Sequence, residues 1–108
     1  MIYEVRLTSA AWRDLEEICV WITEHDSPGN ASHVLDRIIE TAESLGQLPH
    51  RGSRPDELPP GLDLECRQVF FKPYRIIYEV TRSEVVIHLI ADGRRNLQAL
   101  LMRRLRVD

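Results

Sequence analysis

The sequence predicts an α+β fold: a helical hairpin laid on an antiparallel sheet, with a short helix at the end. Three observations carry this. Cys66–Phe71, Tyr74–Thr81 and Glu84–Ala91 are runs of aromatic and β-branched residues separated only by Lys72-Pro73 and Arg82-Ser83. Links that short join antiparallel neighbours, so the three runs form a meander. Ahead of them stand two stretches with apolar residues at helical spacing, parted by a break at His25-Asp26-Ser27-Pro28. The length of 108 residues, with 44% hydrophobic and 29% charged side chains, suits one globular domain over residues 1–108 with a modest core.

Taken in order, residues 2–7 alternate, with Tyr3, Val5 and Leu7 on one side and Ile2, Glu4 and Arg6 on the other. That is a strand with one buried face; the pattern does not say which edge of the meander it joins. Thr8 or Ser9 then caps a helix whose stripe is Ala11, Leu15, Ile18, Cys19 and Ile22, with Trp12 flanking it and Val20 and Trp21 off it. Ser27 as N-cap and Pro28 at the first helical position open a second helix. Its stripe includes Ala31, Val34, Ile38 and Ala42. Gly46 is expected to cap its C-terminus, with Leu48 packing behind. Residues 46–64 hold most of the glycine and proline and no apolar period, so they read as a long surface loop carrying His50, Arg51 and Arg54. After the meander, Asn96 is placed to cap a last helix with Leu97, Leu100, Leu101 and Leu105 on one face and Arg103, Arg104 and Arg106 near its end.

The formal net charge of −3 conceals an asymmetry. Residues 1–65 carry thirteen acidic and five basic side chains, net −8; residues 66–108 carry nine basic and four acidic ones, net +5. A basic half attracts nucleic acid or an acidic partner. Cys19 and Cys66 have no metal-ligand spacing, and the first residues lack the apolar core of a secretory leader, so a reduced cytoplasmic chain is expected. No apolar run is long enough for a membrane span. His25, His33, His50 and His88 are scattered, and there is no phosphate-cradling glycine loop, so neither a metal nor a cofactor is expected. His88 sits mid-strand, alternating with Val86 and Ile90.

The arginines are what remains. Arg67 and Arg75 lie on adjacent strands, and Arg94 and Arg95 lie just past the end of a third. A meander can gather them into one concave patch, where guanidinium forks suit phosphate or carboxylate groups on a partner. Arg103 and Arg104 extend the basic surface. Cleavage of a phosphodiester there would further require a proton donor and a proton acceptor.

At this point the ordered pieces resemble the RelE/ParE toxins of type II toxin–antitoxin modules, the ParE branch in particular. Tyr3-Glu4-Val5-Arg6-Leu7-Thr8 followed by Arg13-Asp14-Leu15-Glu16-Glu17-Ile18 is similar to a ParE opening, and Leu48-Pro49-His50-Arg51-Gly52 to its loop. Lys72-Pro73-Tyr74-Arg75-Ile76-Ile77-Tyr78-Glu79-Val80 is similar to its most recognisable strand, and Gly93-Arg94-Arg95-Asn96-Leu97 to its closing segment. The resemblance implies a toxin that binds DNA gyrase and is neutralised by a cognate antitoxin in a hetero-oligomer, with no sequence-specific DNA binding of its own. Arg67, Arg75, Arg94, Arg95, Arg103 and Arg104 would face the target. Trp12 and Trp21 would bind the antitoxin, a helix of which would fill the groove beside one or the other. The alternative is the RelE activity, metal-free cleavage of ribosome-bound message, with Arg67, Arg75 and Arg95 on the scissile phosphate; a further one is an inert binding module. Against cleavage, Cys66 and Gln68 stand where RelE-like enzymes carry lysines. Leu101 replaces the tyrosine of the last helix, and Asp92 replaces a histidine found before the Gly-Arg pair in many relatives.

Overall fold

The computed structural model describes residues 2–62 and 64–105. Its elements follow the predicted order: β1 (Glu4–Leu7), α1 (Ser9–His25), α2 (Pro28–Ser44), β2 (Cys66–Phe71), β3 (Tyr74–Val80), β4 (Glu84–Asp92) and α3 (Gln98–Leu105). Thr8 is the residue that caps α1, its hydroxyl accepting from Ala11 N at 3.1 Å. Ser27 caps α2 through Asn30 N at 3.0 Å, with Pro28 entering the first turn. In both cases a side-chain oxygen satisfies an N–H that the helix itself leaves without a partner.

The sheet order is β1-β4-β3-β2. The meander β2-β3-β4 is antiparallel, as expected. β1 instead runs parallel to β4, from Glu4 opposite Glu84 to Leu7 opposite Ile87, so the four-stranded sheet is mixed rather than antiparallel throughout. Alternation in β1 marks only its buried face, which is the same for either direction. The direction is set by the helical hairpin and the first two meander strands, which supply the long crossover a parallel pair requires.

The hairpin covers one face. Ala11, Leu15, Ile38 and Ala42 pack with Val69, Ile76, Tyr78 and Ile87. The second face has its own core, in which Leu97 just before α3, Leu101 within it and Leu58 from the loop pack on Cys66, Ile77 and Leu89. A bulge in β4 shifts its alternation partway along. Ile77 pairs with Leu89 but Tyr78 with Ile87, leaving His88 as the extra residue. The expected alternation of Val86, His88 and Ile90 is therefore broken. His88 turns its Nε2 to Glu79 at 3.1 Å, while Ile90 joins the hairpin-side core.

Two expectations in the connecting segment change. Gly46 is not a left-handed cap: the C-cap is Leu45 in right-handed helical geometry, and Gly61 is the one positive-φ glycine among the described residues. Gly46 instead allows close approach of β1, accepting from Tyr3 N at 2.8 Å where an added Cβ would stand 2.9 Å from Tyr3 O. Leu48, 60% exposed, makes no cap contact of the expected kind. Nor is the loop merely superficial. The Tyr78 hydroxyl donates to Pro49 O at 2.8 Å and accepts from Gly52 N at 3.1 Å, and Ser53 and Gln68 exchange backbone hydrogen bonds at 3.2 and 2.8 Å. Arg106 of the predicted last helix lies outside the described residues.

Candidate binding groove

Register and alternation decide where the arginines go. Arg67 lies opposite Tyr78, and residues directly opposite share a face. Arg75 is three residues from Tyr78 on the same strand, so it projects from the other face. The two therefore do not meet on one patch, contrary to expectation. Each is also committed. Arg67 braces the loop, donating from Nη1 to His50 O at 3.0 Å and Gly52 O at 2.6 Å and from Nε to Glu65 at 2.8 Å. Arg75 is buried, 7% exposed, with both Nη atoms on Glu57 at 2.5 and 2.7 Å and Gln68 Oε1 on its flank. Those hydrogen bonds hold the Glu57 carboxyl below its ordinary value and push the Arg75 guanidinium up.

Arg104 is committed in a different way. The last pairing of β1 is Leu7 with Ile87, beyond which that edge of β4 is left without a strand while the other stays on β3. Gly93 N donates to Pro73 O, just ahead of β3, so by alternation the Ile90 N–H points away from β3, to the side β1 no longer covers. The Asp14 carboxylate accepts from Ile90 N at 3.0 Å, and Arg104 donates to the same carboxylate at 2.9 and 3.0 Å and to His88 O at 2.6 Å. Two side chains thus stand in for the strand that β1 is too short to provide, and they tie α1 to α3. Sequence reasoning missed Asp14, though a signal existed: at three residues from Ala11 and four from Ile18, a carboxylate sits on the apolar stripe of α1 and so needs a buried partner.

Of the six predicted arginines, Arg94, Arg95 and Arg103 are exposed. Arg94 folds back on Asp92 with Nε and Nη2 at 2.9 and 2.6 Å. That hydrogen bonding holds the Asp92 carboxyl down at about 2. Arg95 and Arg103 have no side-chain partner among the described residues.

Arg94 and Arg95 border a groove of about 570 Å³ between α1 and the end of the sheet. Asp14, Glu17, Ile18 and Trp21 form one wall, spaced three and four residues apart along α1; Tyr74, Ile90 and Asp92 help to form the other side and the floor. Burial pushes the Tyr74 hydroxyl up, and the Asp92 carboxylate beside it adds to that. Trp21 is 59% exposed and stacks on His25 with ring centroids 4.2 Å apart. Trp12 is 50% exposed but nine residues earlier, which on a helix of 3.6 residues per turn is the opposite side of α1, so the two tryptophans do not share this groove. Among the described residues no cluster of His, Cys, Asp and Glu could hold a metal ion, and no helix is long and apolar enough to cross a membrane.

A family model described as the ParE toxin of the type II toxin–antitoxin system parDE matches residues 5–97. Toxin ParE3 of Caulobacter vibrioides is 34% identical over 88 residues, covering 82% of this chain and 84% of that one. In fold, the chain is similar to one from the chromosomal ParDE toxin–antitoxin system of P. aeruginosa, with a TM-score of 0.72, 23% identity, and coverage of 84% of this chain and 96% of that chain. It is also similar to one from the toxin–antitoxin complex RelBE2 of Mycobacterium tuberculosis, with a TM-score of 0.62, 24% identity, and coverage of 85% and 99%.

Proposed function

The chain belongs to the ParE family of type II toxins, and on that basis we propose that it arrests growth in the cytoplasm by binding DNA gyrase, without chemistry of its own, and that a cognate antitoxin neutralises it. The observation that carries the absence of chemistry is the state of Asp92. At the place where a cleaving relative needs a proton donor stands a carboxyl held at about 2 by Arg94. It is ionised at neutral pH and has no proton to give. The arginines of the cleavage alternative do not support it either. Arg67 and Arg75 project from opposite faces, and Arg75 is fully engaged by Glu57 and Gln68, so the pair cannot close on one phosphate. The side chains left for a target are Arg94, Arg95 and Arg103. An antitoxin partner is supported by the family and by the two structural relatives, both of which come from toxin–antitoxin systems.

Purified chain added to a gyrase supercoiling reaction and to a translation reaction separates the readings. Supercoiling is expected to stop while messages stay whole. Codon-level cuts in ribosome-bound message would establish cleavage instead. Unimpaired growth on induction without the antitoxin would leave an inert binding module.

A further inference from the structure

The groove is unevenly charged, and the unevenness is specific. On the α1 wall, Asp14 is already satisfied by Arg104 and by Ile90 N–H. Glu17, one turn further on, has no partner among the described residues. Beyond it, Glu16 and Glu24 surround Val20 and Trp21, which are 56% and 59% exposed. On the opposite lip, Asp92 and Arg94 neutralise each other. Arg95, whose charge also reaches Asp92, has no side-chain partner among the described residues, so this lip keeps one positive charge in excess. Among the described residues, a groove with an apolar floor thus has a carboxylate without a partner on one side and a guanidinium without one on the other.

This arrangement selects among occupants. A nucleic acid would bring phosphates against Glu17 and its neighbours, and a uniformly basic or acidic peptide would be repelled by one wall. An amphipathic helix satisfies both walls when its apolar stripe is flanked by a basic side chain on one side and an acidic one on the other. Trp21 suits the role of anchor. It is a large half-exposed ring held in place by its stack on His25, whose Nδ1 is 2.8 Å from Trp21 O, so little side-chain freedom is lost on binding.

We propose that Glu17 and Arg95 are the specificity-determining pair of an antitoxin-docking groove, selecting an amphipathic antitoxin helix that sets a basic side chain against Glu17, an acidic one against Arg95 and an apolar stripe over Trp21. The proposal rests on the reading of this chain as a toxin with a cognate antitoxin. It also explains neutralisation, because such a helix lies against two of the three arginines left for a target, Arg94 and Arg95.

The test measures affinity between the purified chain and the antitoxin encoded beside it, by calorimetry, at low and high salt. Glu17→Lys and Arg95→Glu are each expected to weaken binding roughly tenfold at low salt, with a smaller effect at high salt. Trp21→Ala is expected to weaken it at least about thirtyfold at any salt. Exchanging the charged flanks of the antitoxin helix should restore affinity to the Glu17→Lys/Arg95→Glu double variant and lower it for the parent chain. All three positions are exposed, and circular dichroism confirms that the variants fold. Full affinity in both folded charge reversals would overturn the proposal. So would unchanged affinity with lost gyrase inhibition, which would assign the groove to the target. An antitoxin that does not bind the parent chain at all would instead remove the toxin–antitoxin reading itself, and the proposal with it.

Discussion

Arg75 and Arg94 carry the same charge to opposite ends, and the difference lies in what stands beside each. Arg94 meets a carboxylate two residues away in its own turn and stays in solvent, where such a pair is worth little. Arg75 meets Glu57 from 18 residues away and is closed in by Gln68, so its two planar hydrogen bonds are shielded from water. The pH dependence follows from the Glu57 carboxyl. Its value in the folded protein lies below the ordinary 4.5, so the ion pair contributes stability above that ordinary value and loses it as pH falls through the lowered one. In denaturant melts, Glu57→Gln is expected to be less stable than the parent at neutral pH, with the gap closing as the solution is acidified below 4.5. A constant gap across that range would mean that the charge of Glu57 contributes nothing.

Among the elements, α1 touches α2, β1 and β4. Thr8 ends β1 by donating from its N–H to Ile87 O at 3.0 Å and starts α1 with its hydroxyl. Thr8→Ala keeps the first bond and removes the second, so a loss of about 1 kcal/mol is expected in equilibrium unfolding. Serine at the same position should recover most of it. The helix was readable at this scale because its cap and its apolar spacing are local. The orientation of its tryptophans followed from the same spacing: Trp12 and Trp21 are nine residues apart and had to lie on opposite sides. The long loop was not readable, because its anchors are a tyrosine hydroxyl on β3 and backbone groups of β2, none of them local to it. The cap assigned to Gly46 was misread for a related reason. Glycine after a helix signals either a left-handed turn or a close approach, and only the neighbouring strand tells which.

At the scale of the molecule, one clasp joins the two layers that cover the sheet. Asp14 of α1, Arg104 of α3 and the uncovered run of β4 form a single network, with side-chain exposures of 10% and 17% for the ion pair. Asp14→Ala leaves a guanidinium and a backbone N–H with lost partners in poorly hydrated surroundings and is expected to cost about 3–5 kcal/mol in chemical denaturation. That is a large share of the roughly 5–15 kcal/mol a domain has. Replacing both members with apolar residues, Asp14→Leu with Arg104→Met, should recover much of the loss, since neither charge is then left alone. The sequence by itself determined the element order, the capped helical hairpin, the meander and the family, because spacing, caps and residue type act within a few residues. Tertiary structure alone decided the parallel placement of β1, the burial of Asp14 with Arg104, the opposite faces of Arg67 and Arg75, and the placing of Glu17 and Arg95 on one groove. Each of these depends on which distant partner a group finds when it leaves water, and a strand or helix pattern does not contain that information.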